Sequence, residues 1–126
     1  MNAEFESIFA RLRAILQRHT GALTVTADEA GHFCVAVPFN PKLKKGFPAA
    51  WVKIDKGYVS YHFMPVYMFP KLRDGLTGKL RSRMQGKSCF NFKAVDEPLF
   101  EELEALTERG FELARKSGFG PEGPAQ

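Results

Sequence analysis

The sequence predicts an α+β fold: a single domain in which an antiparallel sheet of about five strands carries the N- and C-terminal helices packed on one face. Three features lead to this. Apolar residues recur every three or four positions at both ends of the chain, the period of a helix with one buried stripe. Between them the period shortens to two, in paired runs joined by short turns. The order reads α-ββ-ββ-α-β-α, without the strict alternation of a parallel doubly wound sheet, and suits helices on one side of an antiparallel one. The 126 residues are one domain's worth and enough to bury a core without disulfide or metal staples. Residues 1–118 are assigned to the domain and 119–126 to a flexible tail.

The first helix is predicted from Phe5, Ile8, Phe9, Leu12, Ile15 and Leu16, with Gly21 ending it. ALTVTADEAGHFCVAVPF then alternates twice, with Leu23, Val25 and Ala27 on one side and Phe33, Val35, Val37 and Phe39 on the same kind of face. Asp28 to Gly31 supplies the turn of this first hairpin. NPKLKKGFP, residues 40–48, reads as a loop with proline near each end and three lysines. In WVKIDKGYVSYHF a two-residue turn at Lys56-Gly57 pairs Lys53 with Ser60 and Trp51 with His62. Val52, Ile54, Val59, Tyr61 and Phe63 then form an apolar face, and Trp51, Lys53, Asp55, Tyr58, Ser60, His62 and Met64 the opposite one.

MPVYMFPKL is a proline-bracketed aromatic turn with room for one short helix. Leu76, Leu80 and Met84 fall at helical spacing, with Thr77 as the N-cap and Gly86 as the stop. SCFNF is a short strand with Phe90 and Phe92 on one side and Cys89 and Asn91 on the other. The last helix is the clearest element. Asp96 caps it, Pro98 sits in its first turn, and Leu99, Phe100, Leu103, Leu106, Gly110, Phe111 and Ala114 line one face up to Gly118.

Composition narrows the function classes. The two cysteines, Cys34 and Cys89, form no CxxC and stand at no zinc-finger spacing from histidine. The start MNAEFESIF lacks the basic and apolar regions of a signal peptide, and no apolar run approaches the roughly 20 residues of a membrane span. A cytoplasmic protein with reduced thiols and no membrane partner is the expectation. The net charge of +4 is unevenly spread. Residues 42–93 hold twelve bases against Asp55 and Asp74, while 94–126 hold eight acids against three bases. Either the acidic helix neutralises the basic middle within the fold, or a basic face meets an anion.

Gly86-Lys87-Ser88 resembles the end of a phosphate-binding P-loop. The position where such a loop needs its first glycine is Arg81, and the helix-then-strand order is the reverse of the motif. Nucleotide hydrolysis is therefore not predicted, and Lys87 reads as a solvated base. A catalytic thiol would need Cys34 or Cys89 beside His19, His32 or His62; Cys34, between Phe33 and Val35, reads as a small filler between sheet and helix. No catalytic residue, cofactor or metal site is assigned.

The candidate binding residues are Trp51, Lys53, Tyr58 and His62 on the polar-aromatic sheet face, with Lys79, Arg83 and Lys87 as a basic group, the first two sharing a helix face. Those bases, with Lys71, Arg73 and Arg81, could grip phosphates while Tyr58, Tyr61, Tyr67 and Phe69 stack on single-stranded nucleic acid, although no nucleic-acid-binding motif organises them. Glu97, Glu101, Glu104 and Glu108 climb one side of the last helix, as a solvated face does, or as a weak site for a hard cation.

YVSYHFMP, followed by a basic helix and then GKSCFNFKAVDEPLFEELEALTERGFE, resembles the YdhG-like domains, a bacterial group that includes a frataxin-like iron chaperone. The resemblance covers roughly residues 50–116, and DEPLFEEL is its most specific part. It implies a compact α+β domain and an iron-handling role through acidic residues, with no ligand transferred position by position. The first hairpin and the 40–48 segment depart from the group. The expected function is a non-enzymatic binding module whose polar-aromatic face meets a small ligand or protein partner. Its alternatives are a nucleic-acid or other anion binder and a metal-handling protein, and the chain is expected as monomer or homodimer.

Overall fold

The stripe of apolar residues that opens the chain becomes a helix because it can bury one side against a sheet that offers an apolar face of its own. A computed structural model of the protein describes residues 3–19, 23–40 and 45–116, with backbone alone at 37–40, 45–48 and 115. Helix α1 (Ala3–Gln17) buries Ile8, Leu12, Ile15 and Leu16. Strands β1 (Thr24–Glu29) and β2 (His32–Asn40) form the first hairpin, and β3 (Lys45–Ile54) and β4 (Val59–Phe63) the second. Then come α2 (Met64–Met68), a 3₁₀ turn over Pro70–Gly75 and α3 (Gly78–Arg81). Strands β5 (Met84–Gln85) and β6 (Cys89–Phe92) lead into helix α4 (Glu97–Lys116). The sheet order is β1-β2-β3-β4-β6-β5, with every neighbour antiparallel.

Phe33, Val35, Val52, Val59, Tyr61, Phe63, Phe90 and Phe92 of the sheet join Ile8, Leu12, Leu16, Phe100, Leu103 and Leu106 of the helices in one buried cluster. Helices α1, α2 and α3 all pack against α4, so the helical layer lies on one side of the sheet. Charged side chains tie its edges. Arg11 forks onto Glu97 with bonds of 2.9 and 2.5 Å, and Arg18 pairs with Glu104. Arg13 lies 4.9 Å from the centre of the Phe33 ring and reaches Asp28 of β1 at 2.7 Å. Two acids of α4, Glu97 and Glu104, thus meet Arg11 of α1 and Arg18 at its end.

Several expectations are corrected. The sheet has six strands, the addition being β5, where a continuing helix was predicted. Thr77 does cap a helix, accepting from the Leu80 amide at 3.2 Å, but that helix stops at Arg81. Gly86 is therefore no helix stop: with φ at 76° it makes the left-handed residue of the β5–β6 turn. Lys79 lies on α3 and Arg83 beyond its end, so they share no helix face. In the first hairpin a bulge between Val25 and Ala27 reverses the alternation. Ala27 then pairs with Cys34, away from the core, and Val25 stays exposed on the edge strand. In the 40–48 segment Asn40 belongs to β2 and pairs with Lys45, where β3 begins, so residues 45–48 are strand and not loop, while 41–44 lie outside the described residues. Gly21, Gly118, the tail 119–126 and the side chains of Val37 and Phe39 lie outside the described residues.

The core contains one polar link. The Tyr61 hydroxyl meets Thr107 Oγ1 at 2.6 Å, and that hydroxyl donates to the Leu103 carbonyl at 2.8 Å. Both side chains are fully buried, and burial raises the Tyr61 pKa well above its ordinary value. Thr107→Val strands the Tyr61 hydroxyl and is expected to cost about 1–3 kcal/mol, against about 0.5–1.5 kcal/mol for Tyr61→Phe. The double variant should resemble Tyr61→Phe alone in urea unfolding. Gly110 of α4 faces Phe63, and a Cβ built there would stand 2.5 Å from the ring's Cζ and 3.0 Å from Pro65 Cβ. Gly110→Ala should therefore lower stability by about 1–3 kcal/mol, overcoming its gain of about 1 kcal/mol in helix propensity. Thermal and urea unfolding measure both.

Candidate functional site

Strand alternation sends every second residue of the central strands away from the helices, and the antiparallel register aligns those residues into rungs. One rung runs Cys34–Trp51–His62–Cys89 across β2, β3, β4 and β6, and ends at Gln85 of β5. The next runs His32–Lys53–Ser60–Asn91. The two-residue turn at Lys56-Gly57 holds this register through the Asp55 amide, which donates to the Tyr58 carbonyl at 2.8 Å. Trp51 and His62 consequently face each other across adjacent strands and stack, with ring centroids 4.5 Å apart and planes 17° from parallel.

Beside this stack lies a small polar cluster. Cys89 Sγ is 3.6 Å from His62 Nε2, and the thiol donates to Asn91 Oδ1 at 3.2 Å. Asn91 Nδ2 donates in turn to Gln85 Oε1 at 2.5 Å. Ser60, buried between its neighbours, donates to Asp55 Oδ2 at 3.1 Å. Burial pushes the Cys89 thiol up to about 11, and the Asp55 carboxylate adds to the effect. Burial also lowers the pKa of His62, with Asp55 opposing and Lys53 reinforcing that shift. Thiol and imidazole are therefore both neutral near neutral pH. The pair is not the thiolate–imidazolium of an activated cysteine nucleophile.

Trp51, Lys53 and His62 are brought together as the sequence pattern predicts. Tyr58 stands at the hairpin end, four residues along β4 from His62, or about 13 Å of strand. Lys79 stands on α3, Arg83 between α3 and β5, and Lys87 in the β5–β6 turn, at the margin of the sheet where the rung ends. Beside them Arg81 donates to the Arg73 carbonyl. Cys34 is no filler between sheet and helix: Phe33 and Val35 take the core side, and Cys34 joins Trp51 on the outer face. Asn91 and Gln85 belong to the site as well, and Cys89 enters it as a neutral partner of His62 instead of a nucleophile. The strand SCFNF shows Cys89 and Asn91 on its polar side. That β6 lies next to β4 depends on a pairing between residues some 30 apart, which periodicity does not reveal.

Two of the four acids of the α4 ladder are engaged in the fold: Glu97 by Arg11, which lowers its pKa, and Glu104 by Arg18. Glu102 accepts from the Thr77 amide and hydroxyl at 2.8 and 2.7 Å. Among the described residues no group of three or more His, Cys, Asp or Glu side chains is placed to hold a metal ion. No described helix is long and apolar enough to cross a membrane. Compared with protein-family models, curated proteins and solved structures, the chain matches none.

Because the fold holds His62 neutral, its unfolded form takes up a proton first as pH falls. The stability it contributes is complete above the ordinary imidazole value of 6.5 and is lost as pH drops through the lower folded value. Urea midpoints of the wild type should fall as pH drops from 6.5 towards the lower folded value, and His62→Gln should flatten that decline. An unchanged slope in the variant would remove His62 as a cause, leaving His19, whose pKa burial also lowers.

Proposed function

We propose that this protein is a non-enzymatic binding module that presents the outer face of its sheet to a ligand or partner side chain bearing a flat, hydrogen-bonding group. The Trp51–His62 stack carries the reading. A large, half-buried aromatic pair sits at the centre of a face that the helical layer does not cover, ringed by Lys53, Cys34, Cys89 and Asn91. A flat group can add to such a stack, and the surrounding donors and acceptors can orient it. The neutral thiol and imidazole support binding over nucleophilic chemistry.

The basic residues Lys79, Arg83 and Lys87 support the second reading, a site for nucleic acid or another anion, around the β5 margin of the sheet, which lies two strands from His62 of the stack. The two readings differ in what disrupts them. Iron handling by α4, implied by the YdhG-like resemblance, has less behind it, since Glu97, Glu102 and Glu104 already have partners in the fold.

Trp51 is the only tryptophan, so its fluorescence reports directly on the face. Native mass spectrometry of protein purified without chelator should show a retained species on the wild type that is absent from Trp51→Ala. The variant should unfold cooperatively, losing less than the roughly 3–5 kcal/mol that truncating a core aromatic costs. A loss of that full size would make the face structural and end the proposal. Retention by Trp51→Ala of a species that salt removes would favour the anion site instead.

A further inference from the structure

The outer face of the sheet carries charge in a pattern that bears on what its aromatic stack holds. The rung through Trp51 and His62 ends at Gln85, and the turn that follows carries Lys87. The rung beside it, Glu29–His32–Lys53–Ser60–Asn91, is extended by Arg83, whose carbonyl accepts from the Asn91 amide at 2.8 Å. Lys93 lies just past the end of β6. Lys53, Arg83, Lys87 and Lys93 are all exposed, and none is in a salt bridge with a described acid. The acids of the face offset them little: Asp55 accepts from Ser60, and Glu29 stands at the opposite margin, on β1. We propose that the flat group held by the Trp51–His62 stack is a base of a single-stranded nucleic acid, whose flanking phosphates are met by Lys53, Arg83, Lys87 and Lys93.

This inference rests on the reading of the face given above and names its ligand. Neighbouring strands lie about 4.8 Å apart, so the β5 margin is about 10 Å from His62, and Lys53 stands about 7 Å along β3 from Trp51. Lys53 is also near enough to His62 to disfavour protonation of its ring. Cations thus flank the stack both along the strands and across the sheet, within reach of the backbone of a strand whose base lies on the rings. Aromatic stacking supplies affinity with little regard to base identity, and the cations supply the attraction for phosphate, the combination from which sequence-tolerant single-strand sites are built. The amides of Asn91 and Gln85 add donors and acceptors of the kind that read base edges. A duplex fits poorly, because its bases are stacked within it and must be extruded to reach Trp51. Phosphate alone would need the cations but not the rings, so the stack is what distinguishes a strand from a simple anion.

Titration of the full chain with a labelled single-stranded RNA of about 12 nucleotides, its DNA counterpart and the duplex tests the site. At low salt the wild type should bind a single strand with quenching of Trp51, and the duplex at least roughly tenfold more weakly. The logarithm of the binding constant should fall against that of salt with a slope of about −2 to −3, for three or four phosphates at about 0.7 each. Arg83→Ala, an exposed substitution, should reduce that steepness by about 0.7 and keep the quenching. Trp51→Ala should weaken binding about 5- to 150-fold, the worth of one stacked base, with the slope unchanged. Binding of RNA alone or of DNA alone supports the site equally and identifies the sugar. No binding of either strand at low salt, binding without quenching, or a duplex held as tightly would overturn it. A retained species lost from Trp51→Ala would in that case still uphold the wider reading of the face, whereas a Trp51→Ala variant that loses a core aromatic's full stability ends both.

Discussion

The register of β3 against β4 is the constraint from which the remaining geometry follows. The Lys56-Gly57 turn pairs Trp51 with His62 and Val52 with Tyr61. Slipping the pair by one residue would invert every side chain on the displaced strand, sending Trp51 or His62 under the helices and Val52 or Tyr61 into water. The core opposes that slip, since Val52, Val59, Tyr61 and Phe63 are all completely buried. The same register then propagates outwards. β2 aligns Cys34 with Trp51, and β6 aligns Cys89 with His62, so the polar rung is a by-product of how the apolar one packs.

The helical layer shows how charge serves the same end. Neither strong acid–base pair between α1 and α4 is buried, and exposed pairs contribute little to stability. Their effect is positional. Arg11–Glu97 and Arg18–Glu104 set α1 against α4, and Arg13 bridges Phe33 and Asp28 from helix to edge strand. The long arginine stems also shield aromatic rings, with the Arg11 guanidinium 5.9 Å from the centre of Phe100.

What the sequence discloses is the local part of this architecture. The stripe from Phe5 to Leu16 and the one from Leu99 to Ala114 specify helices because burial follows the 3.6-residue period directly. The second hairpin is legible down to its residue pairs because a two-residue turn permits one register. Legibility fails where contacts are distant or a residue is inserted. The bulge after Val25 reverses a face without changing the apolar composition of the strand. Met84 continues a helical spacing yet pairs with Phe90, since Gly86 can turn the chain back and Phe90 supplies a neighbouring strand. The binding face is half legible for the same reason: its Trp51–His62 pair is local, whereas Cys34 and Cys89 join it through other strands.

The two margins of the sheet have a further consequence. β1 carries a bulge and ends in Asp28 and Glu29, while β5 is only two residues long. An incoming strand finds a kinked, acidic margin on one side and almost no backbone to pair with on the other. Main-chain recruitment of a seventh strand is thereby discouraged, and with it the open-ended stacking of copies edge to edge.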